Sequence, residues 1–211
     1  IMMRQLEFRR LGVRDYVVTA DEMRTWTQVR RPDTPDEIWF LEHEPVYTQG
    51  VSCSEPVREG ASDIPLVKSD RGGQITYHGP GQLVAYLLLD LRRLGLGVRQ
   101  LVSMIEASII ELLDQFGLTA VARPGAPGVY VDGEKIAALG LRVRSGCCYH
   151  GLSLNVDMEL KPFSRINPCG FVGLGVTSMK EQGLSVQVDE VADALERILD
   201  ARLSGKKTDL Y

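Results

Sequence analysis

The sequence predicts an α+β fold, a single domain in which a mixed β-sheet is flanked by α-helices. Three observations carry this. Two amphipathic segments keep a 3.6-residue rhythm, one short run is apolar at every position, and an Asp-Gly pair joins two further apolar runs.

In chain order, a weak amphipathic stretch from about Asp15 to Arg30 stops before Pro32, as a helix must. Ile38-Trp39-Phe40-Leu41 reads as a strand. Leu83 to Leu89 is continuously apolar and too short for a helix, which suits a strand buried on both faces. From Val98, the residues Leu101, Val102, Ile105, Ile109, Leu112, Leu113 and Phe116 mark one helix face, and Gly117 supplies its stop. Gly128–Val131 and Lys135–Leu139 read as strands joined through Asp132-Gly133, the residue pair that tight hairpins favour. Leu152–Val156 is a further strand. Val188, Val191, Ala192, Leu195, Ile198 and Leu199 repeat the helical pattern, with Asp189 and Glu190 suited to its first turn. No repeat, low-complexity segment or linker interrupts the chain, so residues 1–211 read as one domain.

The formal net charge of -4 argues against a nucleic-acid binder or a polybasic membrane anchor. The local basic clusters Arg30-Arg31, Arg92-Arg93 and Arg142 with Arg144 read as solvated faces, open to an acidic protein partner. No run approaches the ~18 apolar residues of a membrane span. The first residues lack the apolar core of a signal peptide, with Ile1 ahead of two methionines set aside. A cytoplasmic location is therefore expected. There Cys53, Cys147, Cys148 and Cys169 are free thiols rather than two disulfides.

Four segments could carry chemistry. Arg71-Gly72-Gly73-Gln74-Ile75-Thr76-Tyr77-His78-Gly79-Pro80-Gly81-Gln82 reads as a glycine-rich loop before the most apolar strand. It is either a tight surface turn or a loop pressing its main chain against a ligand. It matches neither a Walker loop nor a dinucleotide fingerprint. Lys135 opens an apolar strand, either as a solvent-facing strand end or as a partly desolvated cation beside a nucleophile. Cys147, Cys148 and His150 are poorly spaced for a structural zinc, and no metal is expected. His43, between Glu42 and Glu44, reads as a surface histidine. Cys169 lies between Pro168 and Gly170 on a turn, where a thiol is accessible and its thiolate can attack a carbonyl. With an ordinary thiol pKa of about 8.5, it would need a nearby cation to be largely ionised at neutral pH.

Together these segments closely resemble the lipoyl(octanoyl) transferases, in the superfamily of biotin/lipoate protein ligase catalytic domains. Arg71–Gln82, Gly133-x-Lys135-Ile136-Ala137, His150-Gly151-Leu152-Ser153-Leu154-Asn155 and Asn167-Pro168-Cys169-Gly170 stand in the family's order, followed by Val176-Thr177-Ser178-Met179. The resemblance runs from about Glu37 to Ser178 and implies a biotin/lipoate ligase-like fold. It implies that Cys169 is an acyl-thioester nucleophile and that Lys135 lowers its pKa and handles protons. Arg71, Gly72, Gly73, Gln74, Ile75, Thr76, Tyr77 and His78 would line the acyl pocket, with Ala138, Leu139, Gly140, Gly151, Leu152 and Ser153. The implied donor is octanoyl-acyl carrier protein. The implied acceptors are lipoyl domains of 2-oxoacid dehydrogenase complexes and the glycine cleavage H protein. A monomer without cofactor is expected. An ATP-dependent lipoate or biotin protein ligase and a catalytically silent lipoyl-domain-binding module are the alternatives. The Asn-Pro-Cys-Gly turn opposes the first, and the joint presence of Cys169 and Lys135 opposes the second.

Overall fold

The continuously apolar run is the middle of the molecule, whose computed structural model describes residues 6–53, 63–166 and 175–204. Strand β1 (Leu6–Arg14) is followed by helix α1 (Tyr16–Val29) and strands β2 (Asp36–His43), β3 (Val46–Gln49), β4 (Leu66–Lys68) and β5 (Ile75–His78). Next come β6 (Gln82–Asp90), the short helix α2 (Leu91–Leu94), α3 (Val98–Gln115), β7 (Val121–Arg123) and β8 (Ala126–Val131). Strands β9 (Glu134–Arg144) and β10 (Cys147–Asn155) and helix α4 (Val188–Leu203) complete the order. Among the described residues the large sheet runs β1-β2-β6-β10-β9-β8-β7, and a small sheet runs β4-β3-β5. The large sheet is mixed, since β1 is parallel to β2 while the other neighbours are antiparallel.

Alternation along β6 explains why that run has no polar face. Leu83, Ala85, Leu87 and Leu89 join Ile38 and Phe40 of β2 beneath α3 and α4. Val84, Tyr86 and Leu88 join Trp39, Leu41 and Tyr149 beneath Met23 of α1. Successive side chains point to opposite faces of a strand, so a strand covered on both sides must be apolar throughout. Helix α3 brings Leu101, Ile105, Ile109, Leu112 and Leu113 to the same core as Val191, Leu195 and Leu199 of α4. Among the described residues, no helix is long and apolar enough to cross a membrane.

The expected helices form, and Asp15 caps α1 by accepting a hydrogen bond from the Val18 N–H. The Asp-Gly turn forms as well, with φ of 47° at Asp132 and 88° at Gly133, the paired positive values of a type I′ hairpin. Two expectations fail. The segment read as a loop contains β5, because its polar residues are paired with β3 rather than left in a turn. The basic clusters are not all solvated: the Arg30 side chain is 4% exposed and donates to Asp36 (2.8 Å), as does Arg93 (2.7 Å). Burial of Asp36 in β2 draws both guanidinium groups inward.

Gly81 turns the chain from β5 into β6 at φ +85°, and a Cβ there would lie 1.7 Å from the Asp157 carbonyl oxygen. That carbonyl belongs to backbone and cannot yield cheaply. Gly81→Ala is therefore expected to destabilise the fold by at least about 2 kcal/mol, read from the urea midpoint.

Candidate active site

A cavity of about 440 Å³ opens between the edge of the large sheet, the Arg71–His78 segment and the start of α3, within the range of small-ligand pockets. Arg71 through Thr76 and His78 line it, as do Ala138, Leu139, Gly140, Gly151, Leu152 and Ser153. The last two triplets come together through sheet register. Ala138 faces Ser153, Leu139 faces Leu152, and Gly140 faces Gly151 across the β9–β10 ladder. Strand β9 also continues beyond its last paired residue with β8, Ala137, so its outer edge is free to receive the glycine-rich segment. The Gly72 N–H donates to the Leu141 carbonyl at 2.9 Å. A Cβ on Gly140 would stand 2.9 Å from the Gly72 carbonyl oxygen, and one on Gly151 2.1 Å from that of Ala85. Close approach of main chains is what requires glycine at both positions.

Tyr77 departs from the expected lining. It packs edge-on against Phe163, with ring centroids 5.4 Å apart, in a cluster with Tyr47 and Met158. Arg71 does stand in the wall, but its fork is largely occupied by protein. Nε donates to Thr48 Oγ1, Nη1 to the Gly72 carbonyl, and Nη2 to the Thr48 and Gln74 carbonyls. Its chief structural effect is to hold the glycine-rich segment against β3.

Lys135 sits at the cavity rim, partly buried, with Nζ donating to the Pro127 carbonyl at 3.3 Å and lying 5.5 Å from the Tyr130 ring centre. Its backbone is fastened on both sides. The N–H donates to the Gly175 carbonyl (2.9 Å), and its carbonyl accepts from the Thr177 N–H (3.0 Å). Cys169, the expected nucleophile, lies outside the described residues. Cys147 and Cys148 occupy successive positions of β10. Cys148 donates to the Leu87 carbonyl at 3.2 Å, and burial pushes its thiol up to about 12, an inert core group.

Sequence reasoning missed part of the lining of the cavity. Tyr16, Gln82, Tyr86, His150 and Asn155 also line it, with Val98, Val102 and Phe163 among the apolar walls. His43 lies behind them and is fully buried, not on the surface. Its Nδ1 donates to the Arg14 carbonyl (2.8 Å), which leaves Nε2 to accept from the Tyr86 hydroxyl (2.6 Å). The flanking glutamates misled because strand alternation separates them from the histidine. His78 pairs through Nδ1 with Gln82 Oε1 at 2.7 Å, and Gln82 Nε2 donates to Asn155 Oδ1 at 3.0 Å. Every histidine of the chain thus converges here, a clustering invisible in their sequence spacing.

These rings are held neutral. Burial lowers His43 from 6.5 to about 4 and His78 from 6.5 to about 3, with the neighbouring His43 adding to the second shift. An unfolded chain would take up protons below about 6.5 that the folded one refuses. Stability is therefore complete above that pH and lost as pH falls toward the folded values. The slope reaches about 1.4 kcal/mol per pH unit for each ring. The urea midpoint at pH 5 is expected to lie well below that at pH 7, and coincident midpoints would contradict the buried neutral cluster.

A mixed sheet with an apolar-walled cavity that also holds a lysine is the architecture of a protein that binds a small ligand or a small part of a larger one. Comparison with known proteins agrees. Residues 16–200 match the model of the lipoyl protein ligase A/B catalytic domain. An octanoyltransferase of Pseudomonas putida (strain W619) is 56% identical over 190 residues, 90% of this chain and 88% of that protein. One of Pseudomonas fluorescens (strain Pf0-1) is 57% identical with the same coverage. Among solved structures, lipoate-protein ligase A bound with ATP superposes with a TM-score of 0.76 at 16% identity, covering 96% of this chain and 86% of that one. A biotin protein ligase from Aquifex aeolicus gives 0.58 at 14%, covering 98% and 73%. These distant structures share the fold. The chain belongs to the lipoyl protein ligase A/B catalytic domain family. Its high-identity relatives place it with the acyltransferases of that family.

Proposed function

We propose that the chain transfers an octanoyl group from acyl carrier protein to a lysine of a lipoyl domain, through a thioester on Cys169. The 2-oxoacid dehydrogenase complexes and the glycine cleavage H protein supply such lysines. The observation that supports this reading most directly is the position of Lys135. It stands at the rim of the cavity, and its backbone is bonded to Gly175 and Thr177, just beyond the segment that contains Cys169.

The reaction is two acyl transfers. The Cys169 thiolate attacks the thioester carbonyl of the donor, a new carbon–sulfur bond forms, and the carrier thiolate leaves with a proton from Lys135. The acceptor amine then attacks the octanoyl-cysteine. The amide forms, Cys169 leaves as thiolate, and Lys135 takes the proton lost by the amine. Thioester-to-thioester exchange is nearly balanced and amide formation runs downhill, so no nucleotide is consumed. Within Ala138 to Gly140, a main-chain N–H that faces the strand edge left open by β8 is a candidate donor to the carbonyl oxygen as charge develops there.

Mixing the protein with octanoyl-acyl carrier protein in the absence of ATP, and weighing it intact, tests the proposal. An octanoyl-sized gain in mass is expected. Modification of a lipoyl domain only from octanoate plus ATP would favour a ligase instead.

A further inference from the structure

Lys135 occupies an irregular stretch of its strand. Strand β9 pairs with β10 only from Ala137 onward, and the β8–β9 ladder shifts register between Val129 and Tyr130, the partner of Lys135. Such a shift bends the strand and interrupts the ladder bonds that would fix each residue. The segment that returns after Cys169 takes over this support. The Lys135 N–H donates to the Gly175 carbonyl and its own carbonyl accepts from the Thr177 N–H, with Val176 alongside as in a parallel pair. Lys135 is therefore placed only as well as Thr177 is.

Thr177 is held in turn by Asn155, the last residue of β10. The Thr177 carbonyl accepts from Asn155 Nδ2 at 2.9 Å, and both residues are buried. A carbonyl can only accept, so the nitrogen of this amide faces Thr177 and its Oδ1 is left for Gln82. Gln82 Nε2 donates to that oxygen at 3.0 Å from directly across the β6–β10 ladder. Its other hydrogen goes to the Tyr77 carbonyl (3.2 Å), and its Oε1 accepts from His78 Nδ1 (2.7 Å). Two main-chain carbonyls thus fix both amides in one orientation. Only an amide offers two N–H donors and an acceptor on one planar head, and Gln82 uses all three. The Met179 N–H also donates to the Asn155 carbonyl at 3.0 Å, but the side chain is what reaches Thr177.

We infer that Asn155, oriented by Gln82, is a positioning residue for Lys135. The buried amide pair fixes the Thr177 main chain, and Thr177 fixes the strand position from which the lysine works. This rests on the proposed acyl-transfer reading, in which Lys135 carries the proton, and adds to it the residues that keep the carrier in place. A misplacement of about 1 Å at a reacting group can cost about 10²-fold in rate. Thr177 therefore need move only slightly for Lys135 to lose much of its effect.

Transfer kinetics and amide hydrogen exchange on the full chain test this together. In Asn155→Ala, kcat for octanoyl transfer is expected to fall about tenfold, with KM for octanoyl-acyl carrier protein within about twofold of the parent. In a Lys135→Met background the same change should cost less than about twofold, because groups that act as one unit are not additive. The Lys135 and Thr177 amides should exchange at least about tenfold faster in Asn155→Ala, well beyond any change at Leu152 or Leu154 of β10. Asn155→Asp is the second variant. It is equal in size and can accept from Gln82 but, ionised, cannot donate to Thr177, so it should move the same readouts. Asp36→Asn, at the other end of the sheet, controls for lost stability and should leave kcat unmoved. Losses that add in full to that of Lys135→Met, or exchange at Thr177 unmoved in both Asn155 variants, overturn the inference. Failure of the acyl-transfer reading would show separately, as a missing octanoyl adduct on the unaltered protein, while exchange at Lys135 and Thr177 still reads the placement.

Discussion

Replacing Cys169 with alanine is expected to abolish the octanoyl adduct and to lower transfer to a lipoyl domain by at least about 10⁴-fold. Loss of a nucleophile removes the covalent route rather than weakening one contact along it. Lys135→Met tests the partner role. It leaves the thiol in place but removes the ammonium that would favour the thiolate, so alkylation of Cys169 should require a higher pH than in the unaltered protein. Transfer should also slow by about 10²–10⁴-fold, the ordinary worth of a positioned acid or base. An unchanged alkylation profile in Lys135→Met would separate the two residues. A persistent adduct in Cys169→Ala would place the acyl group elsewhere.

Asp36→Ala is expected to cost about 3–5 kcal/mol of stability, among the largest effects of any single change in this chain. The carboxylate is fully buried, and its Oδ1 accepts from Arg30, Arg93 and the Asp90 N–H. Removing it strands the Arg30 guanidinium, stacked 4.7 Å over Trp26 and nearly without solvent. The damage comes from that uncompensated buried charge more than from the lost attraction. Asp36→Asn should cost less, since the amide oxygen still accepts hydrogen bonds. Urea midpoints of the two variants against the parent check the order. Equal midpoints for all would show that Arg30 escapes to water.

Much of this molecule is legible in the sequence where one residue type answers one local need. The uninterrupted run in β6 announces a strand covered on both faces, and Asp132-Gly133 announces its hairpin. The proposed catalytic pair and both lining triplets rest on resemblance. No spacing in the chain reveals that Gly140 and Gly151 are neighbours, because register is a product of the assembled sheet. Edge strand β1 escaped because arginines interrupt its apolar positions and half of it faces solvent. His43 escaped for a different reason: burial of a polar ring depends on a partner forty-three residues away, the Tyr86 hydroxyl, which local context cannot supply.

The facing glycines carry a consequence for how this enzyme can be altered, by selection or by design. Where Gly140 and Gly151 line the cavity the main chains stand in close approach, Gly140 against the Gly72 carbonyl and Gly151 against that of Ala85. No side chain can be introduced at either position without forcing main chains apart, so this part of the cavity wall is withheld from mutational exploration. Variation in what the cavity accepts is left to the side chains that line it elsewhere.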